Sequence, residues 1–351
     1  MPRRFFAAFF FAVRKGNPMQ FQTLPGTDLS VSRLCFGCWG IIEDAHWGER
    51  NQQDSERTLL AAVDCGINFF DTATMYGNGA SETLMGQVLT QAGLRDKLII
   101  ASKTPPNRMR PDEIIAECEA SLQRLQTDYL DLYQTHWTNP EVPIAESWGA
   151  LQRLQEQGKI RHAGVCNLGT QDLDAVSAVQ PPVSNQLPYN LLWRMIEAEI
   201  LPKCRQNSIG VLVYSPLMHG ILADKYQTAA EVPDGRARSR HFCSDRELTR
   251  HGEPGQEAHT FAALDRIRGV AAGLNRHMAD VSLAWALQQP GIVSVIAGAS
   301  HPDQLTRNLK SLESPLSDES IQALNNATAE LMTALGPNPD MWDAGENARY
   351  H

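Results

Sequence analysis

The chain has 351 residues, 42% hydrophobic and 20% charged, enough apolar material for a substantial core and unlike a disordered polypeptide. A formal net charge of −9 with no sustained Lys/Arg run argues against a surface that neutralises nucleic-acid phosphates or anionic lipid, and points instead to a small-molecule partner. Seven scattered cysteines do not make the framework of a disulfide-stapled secreted domain, so a reducing, cytoplasmic setting is expected.

The first 18 residues stand apart. Arg3 and Arg4 precede an apolar run over 5–13, the charge order of a weak signal peptide, but Arg14 and Lys15 follow without a small-residue cleavage site. The run is too short to span a bilayer, and Met19 offers a second start. Residues 1–18 are therefore read as a non-native or targeting extension, 19–335 as one domain and 336–351 as a tail. No other stretch is long and apolar enough to cross a membrane.

A hairpin comes next, with strands at 21–24 and 29–31 around Pro25-Gly26-Thr27. Eight apolar, strand-like runs follow at 34–38, 68–71, 98–103, 130–136, 160–167, 183–187, 210–215 and 293–297. Between them lie helix-periodic segments at 54–65, 81–89, 111–125, 147–157, 172–179, 196–206 and 279–288, with Asp54, Pro111 and Ser147 as start signals. Strands buried on both faces and alternating with helices demand a parallel sheet, and eight such units close into an α/β, (β/α)8 TIM barrel. The doubly wound alternative lacks its glycine-rich first turn. A polar connection over 217–259 follows strand seven, at the end of a barrel where active sites lie. Segments 302–312 and 318–331 read as closing helices. Cys35 and Cys38 fall on a strand, where residues three apart point to opposite faces at roughly 10 Å, so core packing is expected rather than a redox or metal pair. No His/Cys cluster has zinc spacing, and no metal is implied.

Three ionisable residues occupy the carboxyl ends of consecutive strands: Asp71, Lys103 and His136. Parallel barrel strands bring those ends to one mouth, and burying such groups is costly unless they pair. Tyr76 follows Asp71 closely, so the same loop can lean its phenol over the mouth. A phenol is a weak acid, but an adjacent ammonium favours its phenolate and eases proton release. Lys103 supplies the cation, Asp71 holds it, and His136 orients a substrate oxygen; this is a general acid beside a polarised carbonyl.

In order and spacing these four residues resemble the catalytic tetrad of the aldo-keto reductase superfamily. The similarity runs from about residue 21 to 331 through Phe70-Asp71-Thr72-Ala73, Tyr76-Gly77-Asn78-Gly79-Ala80-Ser81-Glu82, the segment 130–137 and the segment 158–167. It implies hydride transfer between a nicotinamide cofactor and a carbonyl or alcohol. It also implies that Asn167 and Gln186 bind the nicotinamide carboxamide, that Tyr214 stacks on the nicotinamide, and that Ser215, Leu217, Gly220 and Leu222 wrap the pyrophosphate. Trp39 and Asp71 join the implied cofactor set, with Gly298, Ser300, Gln304 and Asn308 at the adenosine end, where a helix start suits an anion. Cys166 departs from the family's usual serine.

The resemblance implies NADPH or NADP, with NADH as a second possibility, because His301 stands where NADPH-favouring members carry Arg or Lys and Arg307 where an acid is common. Arg238 and Arg240 are alternative cations for a 2′-phosphate. Trp39, Trp47, Trp137 and Trp193 fall near the mouth; with Tyr76 and His136 they suit an aldehyde or sugar-derived substrate. Two other readings stay open: a sugar or alcohol dehydrogenase run oxidatively, and a nicotinamide-binding regulatory subunit similar to the β subunits of potassium channels. A homo-oligomer is compatible with either.

Overall fold

The computed structural model describes residues 19–351 apart from Ala45. The extension 1–18 lies outside the described residues.

Eight parallel strands close into a barrel: β3 Leu34–Gly37, β4 Phe69–Asp71, β5 Ile99–Thr104, β6 Leu130–Thr135, β7 Ile160–Cys166, β8 Ser184–Pro188, β9 Gly210–Tyr214 and β10 Ile292–Gly298. The circle runs β10-β3-β4-β5-β6-β7-β8-β9, so neighbours in sequence pair in space and β10 closes on β3 through Val295↔Leu34. The hairpin strands β1 Phe21–Thr23 and β2 Ser30–Ser32 pair antiparallel outside this circle. Their turn residues Leu24 and Leu29, with Val31, pack on inward-facing Cys35, Phe69, Leu132 and Leu212 and seal the amino end of the barrel. Each such fully buried apolar side chain contributes roughly 1.5–3 kcal/mol. The carboxyl end is left as the mouth.

The helices α1 Gln52–Asp64, α2 Ala80–Met85, α3 Pro111–Leu125, α4 Ile144–Glu156, α5 Thr170–Ser177, α6 Ile200–Gln206, α7 Glu257–Gly273, α8 Met278–Leu287, α9 Pro302–Leu309, α10 Asp318–Ala327 and α11 Ala329–Leu335 surround the strands. Several boundaries differ from the sequence expectation for local reasons. Helix α1 starts before Asp54 because the Asn51 side chain accepts from the backbone N–H groups of Gln53 and Asp54. Ser147 lies inside α4 rather than capping it, its hydroxyl donating to the Met109 carbonyl at 2.8 Å. Helix α7 is an addition. Its inward positions Thr260, Ala263, Leu264, Ile267 and Ala271 have helical spacing, but small residues at three of them make the apolar stripe faint. Cys35 and Cys38 are buried free thiols in the core.

Candidate active site

Asp71 ends β4, Lys103 lies near the end of β5, and His136 follows β6 directly. The Lys103 Nζ donates to Asp71 Oδ1 at 2.6 Å, to the Thr72 carbonyl at 2.9 Å and to the Tyr76 hydroxyl at 3.3 Å. Gln186, on β8, donates through Nε2 to Asp71 Oδ2 at 2.8 Å, so both carboxylate oxygens are engaged. The ammonium also lies 5.0 Å from the centre of the Tyr76 ring, and His136 meets that ring edge-on at 5.9 Å. The four residues expected to act together thus converge on one point of the mouth.

The loop that carries Tyr76 is held by chemistry of its own. Gly77, Asn78 and Gly79 all adopt left-handed backbone, which turns the chain sharply after the tyrosine. At Gly79 a Cβ would collide with the Arg124 side chain, which packs across the turn. Arg124 donates to the buried Glu82 at 2.6 Å and to Glu117 at 2.8 Å, and Glu82 also accepts from Ser102. Sequence reasoning gave Glu82 no role, although it sits in the quoted motif. The structure makes it the anchor of the Tyr76 loop.

Electrostatics sort the group into donors. Burial acts to lower the Lys103 pKa, but Asp71 and the other negative partners outweigh it and the net direction is upward. Lys103 is a fixed cation. For Tyr76, burial raises the pKa and outweighs the lowering effect of Lys103. The phenol therefore holds its proton: Lys103 acts in the direction expected of an adjacent ammonium, and burial, the stronger of the two effects, acts against it. Burial, then Lys103, pushes the His136 pKa down to about 3, which leaves a neutral imidazole. Its Nδ1 has no partner among the described residues. The Cys166 thiol is buried and pushed upward, so it is inert as a nucleophile.

A cleft of about 1440 Å³ extends from this centre. Trp39, Trp47 and Trp137 line it, with Trp39 stacked on Tyr76 at 5.6 Å. Asn167, Gln186, Tyr214, Ser215, Leu217 and Gly220 continue the lining toward Gly298 at the end of β10, Ser300, and Gln304 and Asn308 on α9. Gln304 accepts from the Ser300 backbone N–H at 3.0 Å, and Asn308 donates to the Gly298 carbonyl at 3.3 Å, so both shape this loop. Asn167, just beyond β7, has φ 60° and accepts from the hydroxyls of Tyr214 at 2.9 Å and Tyr350 at 2.7 Å. The left-handed backbone is why the strand stops one residue short of expectation.

Three expected site residues are placed elsewhere. Leu222 is fully buried in the core and does not line the cleft. Arg240 is turned away: it donates to Glu253 at 2.8 Å and to the carbonyls of Leu335 and Asn338. Arg238, two residues earlier, does line the cleft. Trp193 is fully buried, its indole N–H on the Pro339 carbonyl. Conversely, His46, His219, Trp342 and Arg349 line the cleft without any signal in the sequence pattern. The last two come from the C-terminal tail. Arg349 stacks over Trp137 at 3.6 Å and pairs with Asp340, and His219 stacks on Trp342 at 5.3 Å.

The sequence profile of the Aldo/keto reductase family matches residues 33–329. The chain belongs to the aldo-keto reductases. Aldo-keto reductase YhdN of Bacillus subtilis is 35% identical over 300 residues, covering 82% of this chain and 87% of that protein. The NADH-specific methylglyoxal reductase of Escherichia coli is 32% identical over 314 residues, covering 83% and 93%. Among solved structures, the glycerol dehydrogenase AKR11B4 from Gluconobacter oxydans superposes with a TM-score of 0.76 at 29% identity, covering 91% of this chain and 97% of that one. An aldo/keto reductase from Klebsiella pneumoniae, in complex with NADP and acetate, superposes with a TM-score of 0.67 at 30% identity, covering 86% and 93%. Aldo-keto reductases are NAD(P)-dependent oxidoreductases acting on carbonyl and alcohol groups, and this chain is one of them. No helix among the described residues is long and apolar enough to cross a membrane.

The cleft suits a nicotinamide dinucleotide. It is lined by Lys225, Arg236 and Arg307, none of which has a carboxylate partner among the described residues, and by the start of α9. Close approach of backbone is built in at Gly37, where a Cβ would touch Ile296 at 2.9 Å.

Proposed function

We infer that this aldo-keto reductase reduces a small aldehyde or ketone to the alcohol with Tyr76 as proton donor. The observation that carries the reading is the Asp71–Lys103–Tyr76 chain of hydrogen bonds at the mouth, with neutral His136 against the same ring.

Asn167, Gln186 and Tyr214 would hold the nicotinamide end of the cofactor, and Ser300, Gln304 and Asn308 the adenosine end. When bound, the cofactor supplies the hydride. Tyr76 gives its hydroxyl proton to the carbonyl oxygen as charge develops there. The Lys103 ammonium stabilises the phenolate that results, and Asp71 with Gln186 keeps the ammonium in place. Neutral His136 donates one ring N–H to the same oxygen and fixes the carbonyl's orientation. Trp39 and Trp47 wall the site against water. The same residues run the oxidative direction with Tyr76 accepting the proton, and the similarity to a glycerol dehydrogenase supports small oxygenated substrates in both directions.

NADPH is the preferred cofactor in this reading. Support comes from Arg307, which lines the cleft from the last turn of α9, and from the NADP-bound neighbour; the NADH-specific relative and the exposed, Asp303-facing His301 weigh on the other side. The test is carbonyl-dependent NADPH oxidation in wild-type and Tyr76→Phe enzyme, with cofactor affinity read separately by fluorescence. Turnover that vanishes in Tyr76→Phe while NADPH still binds is the expected result. Tight NADPH binding with no turnover on a broad aldehyde and sugar panel would instead identify a regulatory subunit.

A further inference from the structure

The cleft is far more basic than the chain that forms it. Ten Lys/Arg and four Asp line it, in a protein with a net charge of −9. Four of the cations are matched by carboxylates: Arg250 by Asp343, Arg268 by Asp224, Arg276 by Asp280 and Arg349 by Asp340. Of those without a partner among the described residues, Arg236, Arg307 and Arg50 all act electrostatically on Lys225, and Arg236 also lies over the Trp47 ring at 5.7 Å. Arg238 is not among the charges acting on Lys225. The charged groups acting on it are Arg250 and Asp44, and it acts in turn on His46 and His219.

Arg238 lies instead at the substrate end. Its guanidinium sits 5.0 Å from the Trp342 ring centre, Trp342 stacks on His219, and His219 meets Trp47 edge-on at 6.2 Å. Trp47 packs edge-on against Trp39 at 5.4 Å, and Trp39 stacks on Tyr76. An aromatic wall therefore runs unbroken from the proton donor to this cation. Asp44 acts on it at a distance but makes no ion pair with it among the described residues; one Asp44 oxygen accepts from the backbone N–H groups of His46 and Trp47 at 2.8 Å and the other from the Trp39 indole. Among the described residues the one acceptor held by Arg238 is the Gly235 carbonyl, on Nε at 3.0 Å, which leaves the two terminal nitrogens for a ligand. Further along the same wall, where Arg236 lies over the Trp47 ring at 5.7 Å, the buried Trp47 indole N–H has no acceptor among the described residues. A half-buried guanidinium with free terminal nitrogens, at the end of an aromatic wall, is a site for an anion.

We propose that Arg238, at the end of the aromatic wall that starts at Tyr76, binds a carboxylate or phosphate on the substrate, so that the enzyme favours carbonyl compounds carrying an anionic group at the far end of an apolar or aromatic spacer. The reductase reading enters in one respect only: the carbonyl of that molecule must reach Tyr76.

The test compares wild-type, Arg238→Gln and Arg238→Lys enzyme, saturated with NADPH, on 4-carboxybenzaldehyde and 4-methylbenzaldehyde. The ratio of kcat/KM for the acid to that for the neutral aldehyde should fall on the order of ten-fold in Arg238→Gln, the loss expected of a charge-assisted hydrogen bond in a half-exposed site, and recover in part in Arg238→Lys. An unchanged ratio overturns the proposal, as does a loss of NADPH affinity with no change in ratio. If wild-type enzyme reduces neither aldehyde, the reductase reading falls, and benzoate binding decides the subsite on its own. Benzoate should quench tryptophan fluorescence at concentrations where benzamide does not, with about ten-fold weaker binding in Arg238→Gln. Equal binding of benzoate and benzamide, or of benzoate to both proteins, overturns it.

Discussion

Lys103 Nζ and Asp71 Oδ1 lie 2.6 Å apart with both side chains shut off from solvent. A buried pair of this kind holds itself in place, because each charge would be costly alone. Lys103→Met leaves the Asp71 carboxylate buried against Gln186 only, and should cost about 3–5 kcal/mol of stability in chemical denaturation. Asp71→Asn should cost a similar amount. The double variant should be more stable than the sum of the two losses predicts, since removing both partners removes the desolvation cost with the attraction. Simple additivity in that cycle would show that the two residues do not depend on each other.

The pH dependence of turnover follows from the directions at the mouth. His136 titrates at about 3, well below the usual histidine value, and Tyr76 is pushed up from the phenol range. Both groups therefore keep the proton state required for reduction from about pH 5 to 9. The plot of log kcat/KM against pH should be flat there with a neutral substrate. His136→Asn should lower the plot by on the order of a hundred-fold without changing its shape. An inflexion near pH 6.5 that disappears in His136→Asn would contradict a neutral imidazole.

Acid stability is linked to histidines of the same type away from the chemistry. His241 is fully buried, its ring facing Ser239 Oγ at 3.1 Å and the Leu192 carbonyl at 2.8 Å, and burial lowers its pKa to about 4. A depressed histidine pKa means the unfolded chain binds the proton first. The stability it supports is complete above about pH 6.5 and is lost as pH falls toward 4. Wild-type protein should lose ~1.4 kcal/mol per pH unit in this window for this one group, and His241→Gln should show a slope shallower by that amount. Equal slopes in urea titrations at pH 6, 5 and 4.5 would rule the linkage out.

What the sequence made legible was set by distance along the chain. Asp71, Lys103 and His136 could be found because each ends an apolar run, and parallel strands carry those ends to one place. Arg238 and Arg240 could not be told apart by the same means. They are two residues apart in an irregular loop, where nothing in composition says that one guanidinium faces the cleft and the other the Leu335 and Asn338 carbonyls. Leu222 was expected at the pyrophosphate by resemblance, and tertiary packing buried it. Trp342 and Arg349 were invisible for a related reason: their partners His219 and Trp137 lie more than a hundred residues away, and no local periodicity marks such a contact.

The tail contacts make a prediction of their own. Arg349 donates through Nε and Nη2 to the fully buried Asp340, at 2.8 Å each. Arg349→Ala leaves that carboxylate with backbone N–H donors alone. Because the arginine is partly exposed, a loss of about 2 kcal/mol is expected, and it should be local to the tail. Hydrogen exchange should accelerate over residues 338–351 while the barrel strands keep their protection. Uniform acceleration across the chain would show instead that the tail and the barrel unfold as one.

Arg240 ties the tail to the long connection after β9, and its loss should be felt at a site it does not touch. Its guanidinium joins Glu253 in the connection to the Leu335 and Asn338 carbonyls at the root of the tail, and its own backbone N–H donates to the Met341 carbonyl. Arg240→Met keeps the backbone contact but removes the ionic one, leaving two carbonyls and one carboxylate short of donors. About 3 kcal/mol of stability should be lost. The connection carries Arg238 and the tail carries Trp342, so loosening this tie separates two walls of the cleft. KM for a carbonyl substrate should rise several-fold while kcat, set by Tyr76 and Lys103 on the far side, changes little. A fall in kcat at constant KM would mean that the tie positions the proton donor, and the rigid loop anchored by Glu82 and Arg124 gives no path for that.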